Sequence, residues 1–335
     1  MDGKNPNKAM KKNTLIYITS GILSAGMLAY LLFNLDWEIL HFAFSDIHWG
    51  WLGIALLTYL VNVGLRALRF SNLIYSRQIN WLDFVPVASL HNILMYLMPA
   101  KTGDVTYIFF AKNRLDVSIH EGTATLLAAR YYDFAVVAFF LAALLPFAKN
   151  EMPNWIFQSS IIFCVMVLIG TVGIVLFLRL KKTNINIEEH PLDKEKSLLT
   201  RLNRTWLKFL LGLREIQSHG AHLRTTLFTA LIWLCIYINF YSATKSMGLP
   251  VSFYHIVIIS IVMIPLTLLP LQGFANIGTH EVGWTSVLVA FNYPYKTALA
   301  IAAGSHFVLL LSVLISGGLA FSAATLIKSK LASKK

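Results

Sequence analysis

The chain has 335 residues, of which 56% are hydrophobic and only 13% charged. A soluble domain carries about a quarter charged residues; half that share cannot cover a water-facing surface, so lipid must be the solvent for much of this chain. The formal net charge of +12 lies between the apolar runs, which points to membrane topology and anionic lipid. No basic helix, zinc spacing or RNA-binding aromatic motif supports a nucleic-acid partner.

In chain order, residues 1–13 carry Lys4, Lys8, Lys11 and Lys12 and read as a cytoplasmic tail. The apolar run from Leu15 to Leu35 is longer than a signal-peptide core. No small-x-small cleavage site follows it, so it reads as an uncleaved first span. Spans are expected at 14–35, 49–65, 122–147, 155–178, 225–246 and 298–327. Each suits an apolar slab of about 30 Å at about 1.5 Å per residue. Two stretches behave differently. Residues 84–98 stop at Pro99 and return through 104–111, too short to span. Residues 253–271 contain Pro265 and Pro270, turn through Gln272–Gly278, and return over 282–291. Both read as re-entrant helical hairpins, with fully crossing hairpins as the alternative. Between them, 180–222 is a cytoplasmic polar loop in which Leu199, Leu202, Trp206, Phe209 and Leu213 recur at helical spacing, as in an amphipathic surface helix.

The expected fold is an all-α polytopic membrane bundle, a single transmembrane domain over 1–335 with about six spans and two hairpins. Of the 28 Lys and Arg, this topology places 23 inside. Three are outside (Lys149, Lys245, Lys296) and two at membrane depth (Lys101, Arg130). The asymmetry puts both termini in the cytoplasm of a multi-pass cell-membrane protein. Span two, first hairpin and span three have the reverse order of sidedness to span five, second hairpin and span six. That is a candidate inverted repeat, a recurring transporter design. Cys164 and Cys235 lie in apolar runs and read as small buried hydrophobes.

Ionisable residues at membrane depth are costly and mark function. In the first hairpin, Pro99 and Gly103 break the helix around Lys101 and Asp104, which suit a phosphate and a cation; a solvated turn is the bland alternative. Arg130 and Asp133, at i and i+3 in the third span, can pair as a structural bridge and still donate to a phosphate. In the second hairpin, Pro270, Gly273 and Gly278 form a broken tip before His280 and Glu281. Glu281 is either a helix cap or a titratable transport carboxylate. Arg66 and Arg69 are read as snorkelling anchors or head-group contacts. His91 and His306, alone on apolar helices, read as structural. No metal spacing, nucleotide loop or catalytic triad is present, so neither cofactor nor metal is expected.

The set Arg66-Ala67-Leu68-Arg69-Phe70, Met98-Pro99-Ala100-Lys101-Thr102-Gly103-Asp104, Arg130-Tyr131-Tyr132-Asp133 and Gly278-Thr279-His280-Glu281 resembles the lysylphosphatidylglycerol synthetase transmembrane, flippase-like family. That family also takes in membrane proteins related to an archaeal dolichyl-type glycosyltransferase. The resemblance covers about 14–327. The family often has Arg at the positions of Lys101 and Tyr107, Glu at that of Ala129, and a proline-glycine-glycine tip where Leu271–Asn276 stand. It implies the translocating half without the soluble aminoacyl-transfer domain of the full-length synthetases. The expected activity is movement of a lipid between leaflets, and a transporter is favoured over an enzyme. The expected partner is a membrane lipid: an anionic phospholipid, an aminoacyl-lipid or a polyprenyl-phosphate lipid. A homo-oligomer is compatible with the sequence. A membrane glycosyltransferase, or an accessory subunit of a lipid- or glycan-modifying system, is the rival reading.

Overall fold

A computed structural model describes residues 21–22, 25–26, 29–30, 32–98, 102–149, 152–180, 221–268 and 274–332. Most of the first expected span, the 180–222 loop, Pro99, Lys101, Pro270 and Gly273 lie outside the described residues. No strand occurs among those described.

The short α1 (Trp37–Ser45) starts where the Asp36 carboxylate accepts the Ile39 amide at 3.3 Å. Five longer helices follow the expected spans two to six: α2 (Trp49–Leu73), α5 (Ile119–Ala148), α6 (Asn154–Leu180), α7 (His222–Ser246) and α10 (Tyr295–Ala332). All five are long and apolar enough to cross a membrane. Their burial sorts them. In α10 the apolar stretch is 67% buried and in α6 only 11%, although α6 is the most hydrophobic. A helix apolar all round with little protein over it faces lipid, so α10 is central and α6 peripheral.

Two helical hairpins fill the remainder: α3 (Trp81–Leu97) with α4 (Thr102–Leu115), and α8 (Phe253–Leu268) with α9 (Thr279–Ala290). Their helices have 17, 14, 16 and 12 residues, short of a slab about 30 Å thick at about 1.5 Å per residue. Asn80 caps α3 through the Leu82 amide at 3.0 Å. The first hairpin closes tightly at Gly103, where a Cβ would stand 2.6 Å from the Met95 backbone nitrogen.

The centre of the bundle is the antiparallel pair α2 and α7. Asn62 donates its side-chain amide to the Ile232 carbonyl at 2.9 Å, and Asn239 donates to the Ala55 carbonyl at 2.7 Å. Each asparagine lies seven residues beyond the carbonyl that the other uses, so the two bonds are related by a local twofold. In an apolar slab an amide has no water to turn to, and a backbone carbonyl on the facing helix satisfies it. The relation extends outward. Exchanging α2 with α7, the first hairpin with the second, and α5 with α10 turns the packed pairs α2–α3, α4–α5, α3–α10 and α2–α10 into α7–α8, α9–α10, α8–α5 and α7–α5, which also pack.

Ion pairs mark both ends of the bundle. Asp36 meets Lys296 at 3.0 Å, and that ammonium holds the Asp36 carboxyl below the usual carboxylate range. At the other end, the exposed Arg77 and Asp116 approach to 4.0 Å.

Gly103 and Gly304 separate backbone from side-chain obstruction. The Gly103→Ala methyl group meets the Met95 backbone, so the variant should lose about 1–3 kcal/mol, read as a lower thermal midpoint in detergent. The Gly304→Ala methyl group meets the flexible end of Met247 at 2.5 Å and Leu249 at an ordinary contact distance of 3.8 Å, and its midpoint should stay close to that of the wild type.

Candidate functional site

A polar stripe runs down α2 through Tyr59, Asn62, Arg66 and Arg69, at spacings of three and four that keep one helix face. Arg69 is 1% exposed and does not snorkel. Its Nη1 lies 2.6 Å from Asp133 Oδ1 on α5 and 3.4 Å from the Thr229 hydroxyl on α7. The same carboxylate oxygen accepts the Trp233 indole N–H at 3.1 Å. Arg130 and Asp133, expected to pair along their helix, come only to 4.0 Å. Each prefers a partner on another helix, because an apolar slab rewards the shorter, better aligned contact. Arg130 takes Asp104 at the start of α4, at 2.7 Å.

Asp104 also faces His91 Nε2 at 3.9 Å, while His91 Nδ1 bonds the Gly103 carbonyl at 3.0 Å. Arg66 donates through Nε to Asn62 Oδ1 at 2.8 Å. Among the described residues no carboxylate comes within ion-pair distance of Arg66. Two guanidinium groups, Arg69 and Arg130, thus share two carboxylates, and the third, Arg66, pairs with neither.

The second hairpin builds a smaller centre. Its tip leaves helical geometry, with Ala275 and Asn276 at φ 52° and 56° and Gly278 at 87°. Side chains other than glycine are strained in that region, and such strain gathers at functional sites. The Glu281 carboxylate does two things: Oε2 accepts the Gly278 amide at 2.7 Å, capping α9, and Oε1 lies 2.6 Å from His306 Nδ1 on α10. The His280 ring stacks on His306 at 4.4 Å and on Trp284 at 4.9 Å.

A cavity of about 200 Å³ lies where the two hairpins approach the central helices. Arg66, His91, Arg130, Trp233, Asn276 and His280 face into it. Arg69, Asp104 and Asp133 stand behind the arginines as their supports. Glu281 and Gly278 line a neighbouring cavity instead. Lys101 lies outside the described residues, as do the Pro99, Pro270 and Gly273 hinges. Sequence reasoning did not single out Asn62, Trp233 and Asn276, and it read His91 and His306, which bond Gly103 and Glu281, as structural. The stripe on α2 was visible in the spacing; the partners of His306 were not.

The centres in the two halves correspond. Asn239 follows Asn62 by 177 residues, Glu281 follows Asp104 by 177, and His306 follows Arg130 by 176. In each half an acid at the start of the hairpin's returning helix meets a basic group on the next long helix. Tyr107, where the family often carries arginine, is fully buried. It bonds Thr125 at 3.0 Å and stacks on Phe70 at 4.3 Å, so this position holds packing rather than charge.

Breaking the Arg69–Asp133 pair from one side strands a charge away from water. Asp133→Leu should cost about 3–5 kcal/mol of stability. Arg69→Met combined with Asp133→Leu should recover much of that loss, as read by a double-mutant cycle of thermal unfolding in detergent.

The family model described as the lysylphosphatidylglycerol synthase TM region matches residues 17–317. No curated protein matches the chain. The matched region takes in four of the described long helices, both hairpins and α10 as far as residue 317, and the chain is therefore a multi-pass membrane protein belonging to the lysylphosphatidylglycerol synthase TM region family.

Proposed function

We propose that this protein moves a lipid with an anionic head group between leaflets, holding the phosphate between Arg66 and Arg130. The observation that carries the reading is the charge imbalance at the cavity. Arg66 faces into it with no carboxylate partner among the described residues, beside Arg130, which is paired with Asp104. A guanidinium in an apolar slab calls for an anion, and its planar fork suits phosphate oxygens. The anionic phospholipids, aminoacyl-lipids and polyprenyl-phosphate lipids share that phosphate.

A cavity of about 200 Å³ suits a head group and leaves the acyl chains in the bilayer. The twofold-related asparagine bonds and the exchangeable packing support the inverted repeat expected of an alternating-access carrier. The Lys and Arg count supports cytoplasmic termini in the cell membrane.

The test uses phosphatidylcholine vesicles with trace acyl-labelled phosphatidylglycerol, and labelled phosphatidylcholine as the zwitterionic control. Wild type should carry phosphatidylglycerol well above the protein-free rate. Arg66→Ala and Arg130→Ala should each slow it about 10- to 100-fold, the loss of one charge-assisted hydrogen bond of about 1.5–3 kcal/mol. Movement of every lipid at the protein-free rate in wild type would sink the reading.

A further inference from the structure

Two cavities meet at the start of α9. His280 faces the arginine-lined cavity. Glu281, the next residue, faces a second cavity of about 220 Å³ that is also lined by Tyr30, Thr285 and Tyr295. His306 joins the two through its 2.6 Å contact with Glu281 and its stacked contact with His280. A continuous titratable seam thus separates the cavities.

All three groups are buried, at 8% exposure for His280, 4% for Glu281 and 2% for His306. The Nε2 atoms of both histidines have no hydrogen-bond partner among the described residues. An unpaired imidazole nitrogen in such surroundings costs about 1–3 kcal/mol, and a nitrogen that takes up and releases a proton has reason to stay unpaired.

Correspondence between the halves sharpens the point. His306 stands where the first half has Arg130, and Glu281 where it has Asp104. Arginine keeps its proton, whereas histidine exchanges one near neutral pH. The first pair therefore has a guanidinium as its basic member and the second an imidazole.

We propose that the Glu281–His306 pair binds and releases one proton in step with the head group, so that lipid anion and proton travel together. This inference rests on the transport reading above. With the proton, an imidazolium faces the carboxylate and the pair is neutral. Without it, a carboxylate stands beside neutral imidazole and the pair carries one negative charge. One N–H bond forms on His306 as hydronium gives up its proton, and the reverse step returns that proton to water.

Across the first cavity, Arg66 on α2, His91 and Tyr96 on α3 and Arg130 on α5 face the seam. Across the second, Tyr30 and Tyr295 face it. On α8, His255 is bonded to the Tyr293 hydroxyl at 2.9 Å; α7 presents the Phe240 ring. On α1's side, Asp36 and Lys296 neutralise each other. The two arginines oppose an imidazolium until an anion sits between them. Anion binding then raises proton affinity, and by reciprocity the proton raises anion affinity.

The experiment is a one-unit pH step across phosphatidylcholine vesicles with trace acyl-labelled phosphatidylglycerol, the membrane potential clamped and a pH dye trapped inside. Wild type should concentrate the label about tenfold in the leaflet on the alkaline side, the ratio for one proton per lipid, with matching dye-reported proton entry. His306→Arg keeps a donor for Glu281 and cannot release its proton; it should bring the ratio to one, as should Glu281→Gln. Wild-type movement that ignores the step overturns the coupling and leaves transport standing. Wild-type movement no faster than protein-free vesicles removes transport and coupling together. A folded His306→Arg that still concentrates the label tenfold overturns the assignment to this pair. If both variants fail to fold, the wild-type dye signal decides.

Discussion

The structure depends on holding five charged side chains, from fully buried to about a third exposed, inside a lipid-facing bundle. Arg66, Arg69 and Arg130 carry three positive charges, and Asp104 and Asp133 return two. Isolated, any one of them would be expensive in an apolar slab. Joined across helices they constrain one another: Arg69 ties α2 to α5 and α7, and Arg130 ties α5 to α4. The first hairpin has to stop where it does because Asp104, at the start of its returning helix, has to meet Arg130. Gly103 allows that return, since α4 leans against the Met95 backbone there. What remains after pairing is one guanidinium at a cavity.

Packing supplies the frame for this network. The central α2–α7 pair is locked by reciprocal asparagine bonds rather than by apolar contact alone. Lipid tails are as apolar as leucine, so hydrophobicity cannot tell one helix face from another; hydrogen bonds and close small-residue contacts can. The two hairpins then lean against the central helices from opposite sides, and the cavity opens between them. Backbone strain is concentrated at the tip of the second hairpin, in Ala275 and Asn276. Asn276 also faces the cavity, so the strained element is in direct reach of whatever binds there.

The two halves use one plan with different acids and bases. Asp104 with Arg130 makes a pair whose positive member is permanent. Glu281 with His306 makes one whose basic member is an imidazole. Ring stacking of His280 on His306 and Trp284 holds the second pair in a rigid aromatic wall between two cavities.

Much of this was legible before any coordinates. Charge scarcity and apolar runs specify a membrane bundle, and Gly103 and Gly278, read as helix breaks, stand where the returning helices begin, Gly103 inside the first turn of α4 and Gly278 capping α9, because glycine acts on the backbone locally. Arg130, Asp104 and Glu281 stood out because a charge in an apolar run is anomalous by itself. Pairing was not legible. Arg130 and Asp133 share a helix face, yet each chose a partner from another helix, and His306 looked ordinary until α9 brought Glu281 to it. Local chemistry and hydropathy follow from neighbours in the chain, so the sequence by itself determined the class, the spans and the candidate charges. Which charges neutralise each other, and which one is left facing a cavity, depends on side chains 25 to 64 residues apart in the chain meeting in space, and only the tertiary structure decided it.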